Sequence, residues 1–319
     1  MFFHCSVLEF VLYDSFSREE REAPGHAGTE AVPYTGEEYR MSTPQSTRYR
    51  LLVADFFDAM SSLYDSWAHG ANAKEAARLA EEARVGTGER VLDIGCGTGT
   101  ATRMMAEATG VPGAVVGIDV VPAMLACARE ADSSGTVYAR MAAESLAFAD
   151  SSIDVITYGQ TLPYLFEPKE SLHEAYRVLA NGGRCIVSCR QRSLSTPAQE
   201  LFFALLREEE QRHPAIPPRL SADRAALGEP RVLTTILREA GFRQISTSHL
   251  VTGITATGAE EWCSIMEWLG PYPHLMLSGM GKVRRQELYG RLDRRMEELG
   301  DGAYTFHLGF TFATAHKTG

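Results

Sequence analysis

An aspartate and three glycines stand close together in residues 90–99, which read RVLDIGCGTG. Asp93 lies near the end of a short apolar run, and Gly95, Gly97 and Gly99 alternate just after it. Glycines in this arrangement predict a tight turn whose backbone can approach a ligand closely. The carboxylate of Asp93 would repel a phosphate group beside it and attract an ammonium group. The spacing therefore predicts a loop that binds a ligand with an ammonium group.

Two classes of cofactor bind at a glycine turn after a first strand. Dinucleotides use the pattern G-x-G-x-x-G, but Thr100 stands here where that pattern needs its third glycine. S-adenosylmethionine (SAM) carries an ammonium group and no phosphate, and its α-carboxylate can accept hydrogen bonds from the N–H groups that begin the next helix. The loop therefore favours SAM and disfavours the alternative of a nicotinamide oxidoreductase.

A second acid stands at the end of the next apolar run, VVGID, which closes with Asp119. It follows the last glycine of the loop by about 20 residues, the separation at which an acid in a doubly wound sheet reaches a ribose diol. The diol donates two hydrogen bonds, and a carboxylate can accept both. Val120 and Met124 follow and can form a wall beside the adenine.

These residues need a sheet to position them, and residues 90–190 alternate between strand-like and helix-like patterns. Strands are expected at 90–95, 114–119, 136–142, 152–158 and 184–190, with helices at 99–109, 121–131 and 168–180 between them. Two more strands are expected at 243–253 and 303–317. The alternation predicts an α/β fold with a doubly wound, Rossmann-like, seven-stranded sheet, mostly parallel, whose last strand is antiparallel.

The remaining segments suggest how the chain is divided. Residues 1–40 are acidic and contain Gly and Pro in a polar stretch, so they predict a mobile N-terminal extension before a single domain at 41–319. Helical segments at about 41–85, 191–228 and 257–300 predict lid elements over the binding face. We expect the first helix to run from residue 48 to Gly70 and the next one to start at residue 73.

Composition excludes several functions. The net charge of −10 argues against a nucleic acid partner, which requires clustered basic residues. No apolar run is long enough to predict a membrane span. The six cysteines form no C-x-x-C pair, so they predict neither a metal site nor a disulfide framework. Free thiols favour a cytoplasmic location. A homodimer is one oligomeric state that the sequence leaves open.

The motifs together resemble those of class I SAM-dependent methyltransferases, especially the small-molecule branch that includes ubiquinone and menaquinone biosynthesis enzymes. VLDIGCGTG is similar to the first motif of that family, and VVGIDVVPAML is similar to its second. The segments MAAESLAFADSSIDVITYGQTLPYL and EAYRVLANGGRCIVS resemble the family's later motifs. The resemblance extends from about residue 50 to the end of the chain. It implies that SAM is the cofactor.

The resemblance also implies roles for residues in the first two motifs. Asp93, Gly95 and Gly97 are expected to hold the methionyl end of SAM. Asp119 and Val120 are expected to bind the ribose and the adenine.

Further roles are implied in the segments around these motifs. Ala143 and Glu144 are expected to flank the adenine, although Ala142 stands where the family usually has an acid that binds the adenine amino group. Tyr158 is expected beside the sulfonium at the tip of the fourth strand. Tyr64 resembles a family tyrosine near the cofactor.

The acceptor is less defined than the cofactor. Gln160, Thr161 and Tyr164 leave the fourth strand toward the crevice and are candidates for the substrate pocket. Aromatic and Met residues in the helical inserts favour a small, apolar or aromatic organic acceptor with an O, C or N nucleophile. Methyl transfer by in-line displacement does not require a catalytic residue, and none is assigned. A SAM-binding enzyme with non-methylating chemistry and a non-catalytic binding module remain as alternatives.

Overall fold

The computed structural model describes residues 43–212, 226–300 and 303–319. The predicted extension at residues 1–40 lies outside the described residues. Within them the chain forms a sheet of strands β1 to β7, at Val91–Ile94, Val115–Asp119, Val137–Arg140, Ile153–Gly159, Leu179–Gln191, Arg243–Thr255 and Thr305–His316. Helices α1 to α5 cover Thr43–Met60, Trp67–Ala83, Thr100–Thr109, Pro122–Ala131 and Pro168–Val178. Helices α6 to α10 cover Pro197–Arg212, Pro230–Glu239, Ala259–Glu267, Pro271–Ser278 and Lys282–Leu299.

The strand order across the sheet is β3-β2-β1-β4-β5-β7-β6. Strands β1 to β5 pair in parallel, and β7 is antiparallel to both of its neighbours, β5 and β6. This arrangement confirms the predicted doubly wound sheet. The order reverses between β1 and β4, and a crevice therefore opens at the carboxyl ends of these strands, where ligands bind in open α/β sheets.

Alternate residues of the central strands enter two separate apolar cores, because successive strand side chains point to opposite faces of the sheet. Val155 of β4 and Ile186 of β5 pack in one core with α2, α6 and α8. Ile156 and Val187 pack in the other core with α5 and α7. Tyr158 has the parity of Ile156 and is fully buried in that second core.

The first two helices differ from the prediction. Helix α1 ends at Met60 rather than near Gly70, and α2 begins at Trp67 with three left-handed residues, at 68–70. Long-range contacts explain the difference. The indole N–H of Trp67 donates to the carbonyl of Ile265 at 3.0 Å, and the amide of Asn72 donates to the carbonyl of Tyr64 at 3.0 Å. Such contacts override local helical periodicity.

Candidate active site

The glycine turn after β1 uses its three glycines for different reasons. All three have positive φ, at 69° for Gly95, 54° for Gly97 and 76° for Gly99. A Cβ on Gly95 would lie 2.2 Å from the Thr161 hydroxyl, and one on Gly99 would lie 2.7 Å from the Tyr138 hydroxyl. A Cβ on Gly97 would meet only the Met124 sulfur, at 4.0 Å. Gly97 is therefore the glycine that faces open space, where a ligand can approach the backbone.

Asp119 lies at the end of β2, beside this turn. Its Oδ2 accepts a hydrogen bond from the N–H of Gly97 at 3.0 Å, and its Oδ1 accepts one from the N–H of Val121 at 2.9 Å. These bonds fix the orientation of the carboxylate and leave lone pairs on both oxygens. Burial raises the pKa of Asp119, and the two backbone N–H groups oppose that shift. The geometry fits a group that accepts from a ribose diol.

Asp93 is positioned below the turn rather than at the crevice surface. Its side chain is 2% exposed, and its carboxylate accepts hydrogen bonds from the hydroxyls of Thr102 at 2.6 Å and Thr157 at 2.7 Å. Burial raises the pKa of this carboxyl. Through Asp93 of β1, these two hydrogen bonds connect α3 with β4. The direct contact with the ammonium group of SAM that the sequence suggests for Asp93 stays a prediction.

The predicted adenine side contains one exposed apolar residue, Val120, which is 47% exposed directly after Asp119. Ala143, in the segment MAAES, is buried. Glu144 accepts a hydrogen bond from the N–H of Glu167 at 3.4 Å and lies 3.9 Å from the Arg50 guanidinium of α1. Glu144 thus has protein partners that fix its place.

The turn between α1 and α2 brings two further residues to the crevice. Tyr64 lies close enough to Asp119 for the two to interact electrostatically, and burial raises the pKa of its hydroxyl well above the usual value. Asp65 accepts hydrogen bonds from the hydroxyls of Thr98 at 2.9 Å and Thr100 at 3.1 Å. Sequence reasoning missed Asp65, although its place next to Tyr64 in the segment LYDSW was the available signal.

Two predicted residues lie elsewhere than expected. The Tyr158 side chain does not point toward the crevice, because it follows the strand parity into the second core, where its hydroxyl contacts Ser171 of α5 at 2.8 Å. Only its backbone reaches the tip of β4. Thr161 lies at the strand ends, where its hydroxyl donates to backbone carbonyls that include those of Ile94 at 3.1 Å and Gly159 at 3.0 Å. It supports the glycine turn instead.

A narrow cleft with about 20 Å³ of free space lies beyond the carboxyl end of β4, next to Tyr64. Predicted residues Gln160 and Tyr164 both line it. Most of the other lining residues are aromatic or apolar and come from α1, the start of α2, the α8–α9 connection and β7; they include Phe56, Phe57, Met60, Trp67, Trp268, Leu269, Leu308 and Phe310. Asn72 and Arg190 complete the lining.

Behind Gln160 lies a buried polar network that the sequence did not reveal. Gln160 has a positive φ of 51°, and its N–H donates to the Ser188 hydroxyl at 3.0 Å. That hydroxyl in turn donates to the carboxylate of Glu75, which is 3% exposed on α2. Burial raises the pKa of Glu75 to about 7. A non-glycine residue held at positive φ marks a position that its surroundings constrain strongly.

Comparisons with known proteins agree with this geometry. The methyltransferase domain family matches residues 92–187. Aklanonic acid methyltransferase DauC of Streptomyces sp. (strain C5) is 35% identical over 144 residues, which make up 44% of this chain and 66% of that relative. The ubiquinone/menaquinone biosynthesis C-methyltransferase UbiE of Yersinia enterocolitica is 30% identical over 187 residues, which make up 53% of this chain and 72% of that relative.

A solved structure shows the same fold. Phosphoethanolamine N-methyltransferase 2 of Haemonchus contortus, in complex with phosphomonomethylethanolamine and S-adenosylhomocysteine, is 20% identical with a TM-score of 0.51. The similarity covers 85% of this chain and 60% of that chain.

Fold and site together define a SAM-dependent methyltransferase of the Rossmann-like class. The chain belongs to the class I SAM-dependent methyltransferases and is related to the quinone biosynthesis enzymes. This confirms the predicted enzyme class, its SAM cofactor and methyl transfer to a small-molecule acceptor. The open backbone at Gly97 and the oriented carboxylate of Asp119 fit that cofactor. Within the described residues, no helix is long and apolar enough to cross a membrane.

Proposed function

We propose that this enzyme methylates a flat aromatic small molecule, which binds in the cleft lined by Gln160 and Tyr164. The aromatic character of that cleft is the single observation that carries the proposal. The Tyr164 ring lies edge-on to Phe57, with centroids 5.0 Å apart, and Trp268 and Phe56 lie 5.9 Å apart on another wall. Such rings bind a planar apolar ligand by stacking and edge contacts.

Tyr64 links this cleft to the cofactor crevice, since it lines the cleft and interacts with Asp119. An acceptor in the cleft therefore lies next to the methyl donor. When bound, SAM supplies an electrophilic methyl carbon with a good leaving group. The protein then has to align the acceptor and exclude water, which are the main contributions to such a displacement.

Gln160 is our candidate for the residue that orients the acceptor. Its backbone is held by Ser188, and its side-chain amide lies 3.5 Å from the Asn72 amide oxygen, so two neutral polar groups lie in a mostly apolar and aromatic cleft. A few fixed polar groups in an apolar pocket set the orientation of a ligand. No general base is assigned. The names of the quinone methyltransferase relatives also support an aromatic acceptor.

The test is methyl transfer from SAM to a panel of hydroxynaphthalenes and hydroxyquinones, with products detected by mass spectrometry. We expect at least one acceptor to be methylated by the wild type and by Tyr164→Phe, which keeps the ring. Tyr164→Ala should lower kcat/KM by about tenfold or more, because a stacking wall is lost, while the affinity for S-adenosylhomocysteine stays the same. Turnover of aliphatic acceptors alone would contradict the proposal.

We also propose a cytoplasmic location, as predicted from the sequence, and a homodimer, which the sequence leaves open. The five cysteines in the described residues are free thiols, which suits a reducing compartment. Strand β6 forms one edge of the sheet and exposes Val251, so a second copy has a strand to pair with. Light scattering after size-exclusion chromatography tests the dimer, and a monomeric mass would contradict it.

A further inference from the structure

Arg190 places a positive charge in the aromatic cleft. It lies on β5 two residues after Ser188 and pairs with Phe310 of β7 in the sheet register. Its guanidinium Nη1 donates to the carbonyl of Leu269 at 2.7 Å, at the junction of α8 and α9. The other guanidinium nitrogens have no protein partner among the described residues, and they are not sealed in the interior. Arg190 is among the residues that line the cleft.

This guanidinium lacks a carboxylate partner within the described part of the chain. Several other partly buried arginines differ from it, because they bind acids: Arg177 binds Asp150, Arg184 binds Glu89, and Arg284 binds Glu209. Tyr164 is the titratable group that raises the pKa of Arg190, against the larger effect of burial.

A second cation lies near Arg190, although it does not line the cleft. Arg192 follows two residues later, and Arg190 repels it electrostatically. Its guanidinium lies 5.9 Å from the Phe203 ring, and in the described residues it likewise has no acid partner. Two neighbouring arginines without acids are unexpected in a chain with a net charge of −10. Burial lowers the pKa of Arg190, which expresses the cost of holding its charge away from water.

A bound anion would offset this cost. A guanidinium offers planar, parallel N–H groups that match the two oxygens of a carboxylate, and such charge-assisted bonds are about twice as strong as neutral ones. We propose that Arg190 recognises a carboxylate on the aromatic acceptor. The ring system would then lie between Tyr164 and Trp268, with its acidic group toward β5 and β7. Its nucleophilic atom would lie at the Gln160 end, toward the cofactor.

This inference rests on the proposed function, since it assumes that the acceptor occupies the cleft. It goes further by requiring an aromatic acid and by assigning specificity to a residue outside the cofactor crevice. A purely structural role for Arg190, through its bond to Leu269, is the competing explanation. If that were its only role, loss of Arg190 would weaken the binding of neutral and anionic ligands equally.

The experiment compares 2-naphthoate with 2-naphthamide, which have the same rings and differ in charge. Binding of each is measured by calorimetry to the full chain saturated with S-adenosylhomocysteine. We expect the wild type to bind 2-naphthoate at least about tenfold more tightly. Arg190→Gln should lose that preference while it keeps the affinity for 2-naphthamide, and Arg190→Lys should keep part of the preference. Arg231→Gln, an exposed arginine on α7, is the matched control and should behave like wild type.

The outcomes separate this inference from the proposed function. If the wild type binds both probes equally, or if Arg190→Gln keeps the preference, the cleft remains an aromatic site and the carboxylate inference is wrong. An equal loss of both probes in Arg190→Gln would show a structural role and would also overturn it. If neither probe binds the wild type, both the aromatic cleft and the role of Arg190 are wrong.

Discussion

At the scale of single residues, the glycines of one short motif serve different purposes. Gly95 and Gly99 are needed because protein atoms approach them within 3 Å of where a Cβ would lie. Gly97 has no such neighbour, yet its N–H is held by Asp119. The motif therefore combines two structural glycines with one that leaves room for the ligand. This division could not be derived from the letters GCGTG alone.

Substitution by alanine distinguishes these roles. Gly97→Ala should weaken binding of S-adenosylhomocysteine by about tenfold or more, because the methyl group enters the ligand's space, while the left-handed backbone costs only about 1 kcal/mol of stability. Gly95→Ala should instead lower the free energy of unfolding by about 2–4 kcal/mol, because its methyl group overlaps Thr161. Calorimetry and urea unfolding measure the two effects. Equal effects of both variants on stability would contradict the assignment.

The candidate site was predictable as a list of positions more than as a set of contacts. Motif spacing predicted Asp119, Gly97, Gln160 and Tyr164 as site residues, and the structure places the first two together at the glycine turn and the last two in the lining of the cleft. The direction of Tyr158 was implicit in strand alternation, which places it on the face of Ile156. Glu75 and Arg190 could not be found from local patterns, since their significance depends on partners far apart in the chain.

At the scale of elements, the sheet and most helices follow from periodicity, whereas the connection between α1 and α2 does not. Periodicity reports which face of a segment is apolar, and that information suffices for a strand between two helical layers. The turn at residues 61–66 is instead set by contacts with the glycine loop and with α8. Asp65 is the clearest example, because it binds hydroxyls at the start of α3.

This docking of the turn on the loop predicts a specific effect. Asp65→Ala should lower the free energy of unfolding by about 1–2 kcal/mol, because two hydroxyls lose their acceptor. It should also weaken binding of S-adenosylhomocysteine by about threefold or more, because the turn is then held less firmly against the glycine loop. Thermal unfolding and calorimetry measure these changes. Asp58→Ala, on the exposed face of α1, is the control. A wild-type affinity in Asp65→Ala would contradict the role of this turn.

At the scale of the whole molecule, the buried acids make stability depend on pH. Glu75 has an ordinary carboxyl pKa of 4.5 when exposed and a pKa of about 7 in the folded protein. Between these values the folded state holds a proton that the unfolded state has released. Stability from this group is therefore present below about pH 4.5 and is lost as the pH rises to about 7.

Glu75→Gln removes this dependence while it keeps a polar side chain of the same size. The wild type should lose roughly 2 kcal/mol of stability relative to Glu75→Gln between about pH 5 and about pH 8. Urea unfolding of both proteins at the two pH values measures the difference, and effects of the other acids largely cancel in it. A constant difference between the proteins would show that Glu75 ionises normally in the folded state.

The central claim is that the enzyme holds SAM between the backbone at Gly97 and the carboxylate of Asp119. Calorimetric titration of S-adenosylhomocysteine into Asp119→Ala tests it most directly, with Asp150→Ala as a control at an exposed carboxylate. We expect the dissociation constant to rise at least about tenfold in Asp119→Ala, because two charge-assisted hydrogen bonds to the ribose are lost, and to stay at the wild-type value in the control. An unchanged dissociation constant in a folded Asp119→Ala protein would contradict the claim.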